Sequence, residues 1–217
     1  MLTLILLFTM AVPAFAVEDT ADAAVGFLTL YASNDSTSSS GAGTTGHAFF
    51  AFENVSSSVV RIGVYYVDPG ETITFGTWGN GPNHQGVFYN LESYVHYNNG
   101  AFSNRVSTTV AITASDAATI TQYILNNDSY HLTQNNCVDF AIEIWADASG
   151  IVLSAGLISQ PVYLMSSIRE WCDYVNNEAI PYNMNVGYAL IGSFHEFTEE
   201  EFNSASTLDC NEEDVAQ

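Results

Sequence analysis

The hydrophobic period of this chain changes once, and that change limits the folds open to it more than any other feature. Between His47 and Trp78 the apolar residues follow strand logic. Residues 48–52, 59–67 and 72–75 are rich in aromatic and β-branched side chains. The segments between them, 54–58 and 68–71, hold Asn, Ser, Asp, Pro and Gly, which make turns. After Thr113 the period lengthens to that of a helix. A helix from Thr113 or Ser115 to about Asn127 places Ala117, Ile120, Tyr123 and Ile124 on one face. A second begins near Asn136, sets Cys137, Phe140, Ala141, Ile144, Trp145 and Ala148 at i, i+3, i+4 spacing, and stops at Gly150. A third opens at Pro161 and carries Met165, Ile168, Trp171, Cys172 and Val175. Strands first and helices after predict an α+β fold, an antiparallel sheet packed against helices. The early runs read most simply as a three-strand antiparallel meander, broken by residues 76–82. Residues 87–90 return as a short strand, and 188–191 close the sheet. Residues 25–31 read as one more strand, and 33–45 as a flexible loop rich in Ser, Gly and Thr.

The beginning of the chain carries a different signal. Residues 2–12 form an almost unbroken apolar run ending in Pro13-Ala14-Phe15-Ala16, a small-x-small site ahead of Glu18 and Asp19. That pattern predicts a signal peptide cut after Ala16 and a secreted, extracellular protein. The run is shorter than the roughly 20 apolar residues of a membrane span. The expected organisation is a signal peptide at 1–16, a strand and flexible loop at 17–45, one domain at 46–195, and an acidic, loosely held tail at 196–217. The sequence sets no oligomeric state.

Charge narrows the partners. The formal net charge is −21, with Arg61, Arg105 and Arg169 as the whole basic complement and no lysine. Nucleic acids and anionic lipid surfaces both require clusters of Lys or Arg, so neither is an expected partner, and no membrane contact beyond export is expected. Only 12% of residues are charged while 47% are hydrophobic, the balance of an acidic globule and not of a disordered chain.

Three cysteines, Cys137, Cys172 and Cys210, leave at least one thiol unpaired in an oxidising compartment unless the chain dimerises through it. Either Cys172 and Cys210 pair and Cys137 is free, or all three are free. Cys137 falls in the first turn of its helix, where unsatisfied backbone N–H groups and the positive end of the helix dipole favour thiolate over thiol. Those N–H groups could also receive an oxyanion. Such a thiolate needs a proton partner, and histidine serves that role near neutral pH. Of the five histidines, His47 has the most suitable context, since it follows a Gly-rich loop and starts a strongly apolar strand. His84 and His96 lie in loop-like stretches, His131 is close to Cys137 in sequence, and His195 is near the acidic tail. No histidine shows the H-E-x-x-H spacing of a metal hydrolase, and Cys172 and Cys210 have no neighbouring ligand, so no metal site is expected.

Gly46-His47-Ala48-Phe49-Phe50 at a strand start is followed about ninety residues later by Asn136-Cys137-Val138-Asp139-Phe140-Ala141 at a helix start. This order resembles the circularly permuted NlpC-like branch of the papain-fold cysteine peptidases and amidases, in which the histidine strand precedes the cysteine helix. The likeness spans roughly residues 44–150. It implies a permuted papain-like arrangement, Cys137 as nucleophile, His47 as general base, a thioester resolved by water or another acceptor, and no cofactor. In this pattern a third polar residue orients the histidine. If the first two strands pair about Ser56 and Ser57, His47 faces the region of Tyr65 and Tyr66; Glu71 and Glu92 are further candidates. The expected function is secreted amide hydrolysis on a peptide or a cell-wall stem peptide. An acyltransferase using the same pair is one alternative. Another is a catalytically inactive papain-like binding module in which Trp78, Tyr89 and Tyr94 form a ligand surface.

Overall fold

The computed structural model describes residues 23–35 and 46–208. The expected signal peptide, most of the loop at 33–45 and Cys210 lie outside the described residues. In chain order the elements are β1 (Ala24–Ser33), β2 (His47–Asn54), β3 (Val60–Ile62), β4 (Tyr65–Val67), β5 (Thr72–Trp78), β6 (Gly86–Tyr89), α1 (Leu91–Asn99) and β7 (Arg105–Thr113). They continue with α2 (Ala114–Asn126), α3 (Cys137–Ser149), α4 (Pro161–Trp171), β8 (Val175–Asn176), β9 (Gly187–Leu190), β10 (Ser193–Glu196) and α5 (Glu199–Ala205). The architecture is α+β, an antiparallel sheet packed against helices, with the histidine strand preceding the cysteine helix. The main sheet has eight strands in the order β10-β9-β6-β5-β2-β1-β7-β8, and β3 and β4 form a separate hairpin.

Both faces of the central strands are buried, which explains why residues 48–52 are continuously apolar instead of alternating. Ala48, Phe50 and Phe52 join Leu28 and Leu30 in a core covered by α2, α3 and α4. Phe49 and Ala51 point the other way, into a second core with Tyr31, Trp78, Phe102 and, from α1, Leu91 and Val95. The helices start where their caps are. Thr113 with Asp116, Asn136 with Asp139, and Thr198 with Glu201 form capping boxes at α2, α3 and α5. Gly150, at φ 71°, ends α3 in the left-handed conformation that glycine adopts without strain. Among the described residues no helix is long and apolar enough to cross a membrane.

Several expectations are corrected. Residues 59–67 are not one strand of a meander: the chain folds back at Gly63 (φ 61°), where a Cβ would lie 2.1 Å from the Tyr89 hydroxyl oxygen. The resulting β3–β4 hairpin stands apart, and β2 pairs directly with β5 through Phe50 and Phe75. β5 does not break at Gly76 but runs on to Trp78. β7 and α1 add a long strand and a helix to the expected elements. The strand at 24–33 lies inside the sheet between β2 and β7, so the sheet does not begin at residue 46. Nor is all of 196–208 a loose tail, since Phe197 and Ala205 are buried in the second core. Trp171, at the end of α4, is 64% exposed and does not join the core.

Candidate active site

His47 is the first residue of β2, opposite Ser33 of β1. The residue before it must be glycine: Gly46 has φ 139°, and a Cβ there would lie 2.2 Å from the Ser33 carbonyl oxygen. The imidazole is buried among aromatic rings, with centroids 4.4 Å from Trp78, 5.6 Å from Phe102 and 5.8 Å from Phe49. Cys137 is the first residue of α3, brought to the start of β2 by the packing of α3 against β2 and β5. Its side chain is near enough to His47 to act on the imidazole electrostatically.

The opposite side of His47 is occupied by Glu92, the second residue of α1. Its carboxylate is fully buried. Glu92 Oε1 accepts from His47 Nε2 at 3.3 Å and from Trp78 Nε1 at 2.8 Å, while Oε2 accepts from Thr74 Oγ1 at 3.2 Å. Gly76 makes room for it, since a Cβ at that position would stand 2.5 Å from Glu92 Oε1. A carboxyl group buried without such donors would be strongly destabilising, and these three bonds satisfy it. Burial alone would lower the pKa of His47. The neighbouring Cys137 side chain and then Glu92 outweigh that effect and hold His47 up at about 9.

The three groups come from different layers. Cys137 belongs to the core under α2, α3 and α4, Glu92 rides on the helix that covers the opposite face, and His47 sits at the end of the strand between them. The sequence-derived pair is thus brought together, and of the candidates for its partner Glu92 is the one in contact. Glu71 instead accepts from Tyr65 Oη and Asn183 Nδ2, and Tyr66 is 64% exposed on the detached hairpin. The register of β2 with β5, not a β2–β3 hairpin, sets what His47 meets. The other histidines are engaged elsewhere: His84 with Asp128, His96 with the Ala101 carbonyl, His131 in a bridge with Asn135, and His195 on β10. Trp78 is a buried donor to Glu92, not a ligand surface, and Tyr89 is fully buried. Cys172 lies outside the site at the end of α4, its thiol pKa pushed up by burial.

Asn136 shapes the surroundings of the thiol. Its Oδ1 accepts from the backbone N–H groups of Val138 (2.8 Å) and Asp139 (3.1 Å), and its Nδ2 donates to the carbonyls of Leu132 and Ser159. One side chain therefore caps α3 and ties two loops to it. Asn135 is not part of this arrangement, since its Nδ2 donates to Ser129. Between those loops a pocket of about 240 Å³ adjoins Cys137. A cleft of about 310 Å³ between β3 and α2 shares no residue with the Cys137 and His47 pair. Among the described residues no group of three or more His, Cys, Asp or Glu side chains is arranged to hold a metal ion.

No protein-family model matches the chain, and no curated protein matches it. Among solved structures, the crystal structure of a type VI secretion system effector, TseH, is similar over 70% of this chain and 98% of its own, at 13% sequence identity and a TM-score of 0.46. That is a distant likeness in chain path.

Proposed function

We propose that this chain is a secreted thiol hydrolase that cleaves an amide bond in a peptide or a cell-wall stem peptide through a thioester on Cys137. The observation that carries the reading is a helix-start cysteine that acts electrostatically on a buried histidine whose Nε2 is held by a buried carboxyl group. With Nε2 bonded to Glu92, Nδ1 is the nitrogen that serves the thiol. Cys137 gives its proton to His47, and the sulfur attacks the amide carbonyl. His47 returns that proton to the departing amine as the C–N bond breaks, leaving an acyl group on sulfur. His47 then takes a proton from water, which attacks the thioester, releases the carboxylic acid and restores the thiol. Glu92 is a positioning residue: it orients the ring and stabilises the imidazolium, as a buried carboxylate does in hydrolytic triads. The N–H groups of Val138 and Asp139 are committed to Asn136, so the oxyanion falls to the N–H of Cys137 itself. An inactive binding module has no need of a buried carboxyl group bonded to His47, which favours the catalytic reading.

The test is covalent trapping. Iodoacetamide near neutral pH should modify Cys137 at least ~10-fold faster than Cys172, and the rate should fall in His47→Ala. Intact-mass spectrometry after an activated ester should show one acyl group, absent in Cys137→Ala. Slow labelling of Cys137, equal to that of Cys172, would sink the proposal.

A further inference from the structure

The pocket beside Cys137 has a wall whose chemistry restricts what can enter it. Leu132, Val138, Ile158 and Pro161 supply its apolar surface, and none of its lining residues is charged. Much of the polar lining is already engaged. The Asn136 side chain uses both ends on backbone groups, and the Ser159 hydroxyl donates to Asp139. Ions entering this pocket would lose water without gaining a charged partner, whereas apolar groups lose nothing by entering. At the mouth, Leu132 is 49% and Ile158 57% exposed, apolar surface that the described chain leaves uncovered. The net charge of −21 adds a field that repels anions.

Geometry assigns the pocket to one side of the scissile bond. It touches Cys137 and not His47. In the proposed reaction the amine departs beside His47, which protonates it, and the acyl part stays on sulfur. A space against the sulfur and away from the imidazole therefore holds the acyl part. Its size sets an upper bound: apolar cavities of about 150 Å³ accept a benzene ring, so 240 Å³ takes a ring with a short tether or a branched aliphatic group.

We propose that this pocket selects substrates carrying an uncharged, apolar group, the size of one aromatic or branched aliphatic side chain, on the acyl side of the bond. The proposal rests on Cys137 being the nucleophile, and narrows the substrate to peptides with an apolar residue at that position. The test uses four p-nitrophenyl esters: acetate, hexanoate, 3-phenylpropionate and the negatively charged hemisuccinate. Acylation rates of the full chain are each normalised to the reaction of the same ester with N-acetylcysteine. Hexanoate and 3-phenylpropionate should acylate Cys137 at least ~10-fold faster than acetate, as the burial of a few methylene groups predicts, and hemisuccinate no faster than acetate. Ile158→Glu, at an exposed position that tolerates charge, should bring the hexanoate-to-acetate ratio close to one. Equal normalised rates for all four esters, a preference for hemisuccinate, or an unchanged ratio in Ile158→Glu would overturn the pocket assignment while leaving the hydrolase reading intact. Acylation by none of the esters would overturn both.

Discussion

The helix that presents Cys137 and the helix that presents Glu92 are built on opposite plans. α3 begins with a complete capping box at Asn136, is apolar along one side, and ends on Gly150. α1 begins at Asn90, which holds φ 61° and makes no side-chain cap; its amide instead accepts from the Thr74 backbone N–H and donates to the Asn185 carbonyl. The first helix is specified within its own segment. The second is specified by what it packs against, and the reason is its cargo: a carboxylate at zero exposure needs the donors of β2 and β5 already in place. The thiol is positioned by local rules, whereas the carboxyl group that holds His47 is positioned by the tertiary structure.

Three measurements would break or sharpen that contrast. The largest effect belongs to Glu92→Gln, which keeps shape and removes charge. Turnover of an amide substrate should fall on the order of 10²-fold or more, by comparison with the loss of a triad carboxylate elsewhere. Thermal unfolding should show the variant still folded. Unchanged turnover would mean that α1 contributes packing only.

Next in size is a pH effect. His47 is raised from 6.5 to about 9, so the stability gained by its cationic form is fully present below 6.5 and is lost as pH rises through about 9. Melting temperature should therefore decline from about pH 6.5 to about pH 9 and level off above it, and the decline should flatten in Glu92→Gln. The acylation rate for an amide should fall as pH rises through about 9, where His47 loses the proton it gives to the leaving amine. An identical decline in His47→Gln would detach the effect from this residue.

The smallest is Asn136→Ala. Losing the cap should lower stability by about 1–2 kcal/mol, seen as a shift of several degrees in melting temperature. The two loops held by Asn136 Nδ2 should loosen with it, raising KM more than it lowers kcat. A fall in kcat alone would place Asn136 in the chemistry and not in the support of the pocket.

How much of this was legible in the sequence follows the same division. Asn136, Cys137 and the apolar face of α3 stand within a few residues of each other, and the strand after His47 is marked by its aromatic run, so the pair could be found from local pattern. Glu92 could be named only as one candidate among others. Its helix lacks a side-chain cap, and the buried set Leu91, Glu92, Ser93 and Val95 mixes polar with apolar residues, which blurs the helical period. The hairpin error had a similar origin. Residues 59–67 are apolar enough for one strand, and the reversal at Gly63 depends on contacts from Thr121 and Tyr89, distant in sequence, which bond the backbone N–H groups of Gly63 and Val64.

The placement of the three groups in separate layers has a consequence for the order of events as the chain folds. His47 is 45 residues from Glu92, and Cys137 lies further along the chain still. No local segment contains more than one of them, and such distant contacts close late because of the chain entropy they must overcome. A newly made chain consequently keeps Cys137 apart from His47 and Glu92 until both faces of the sheet are covered. The thiol therefore meets His47 and Glu92 together only on completion of the fold.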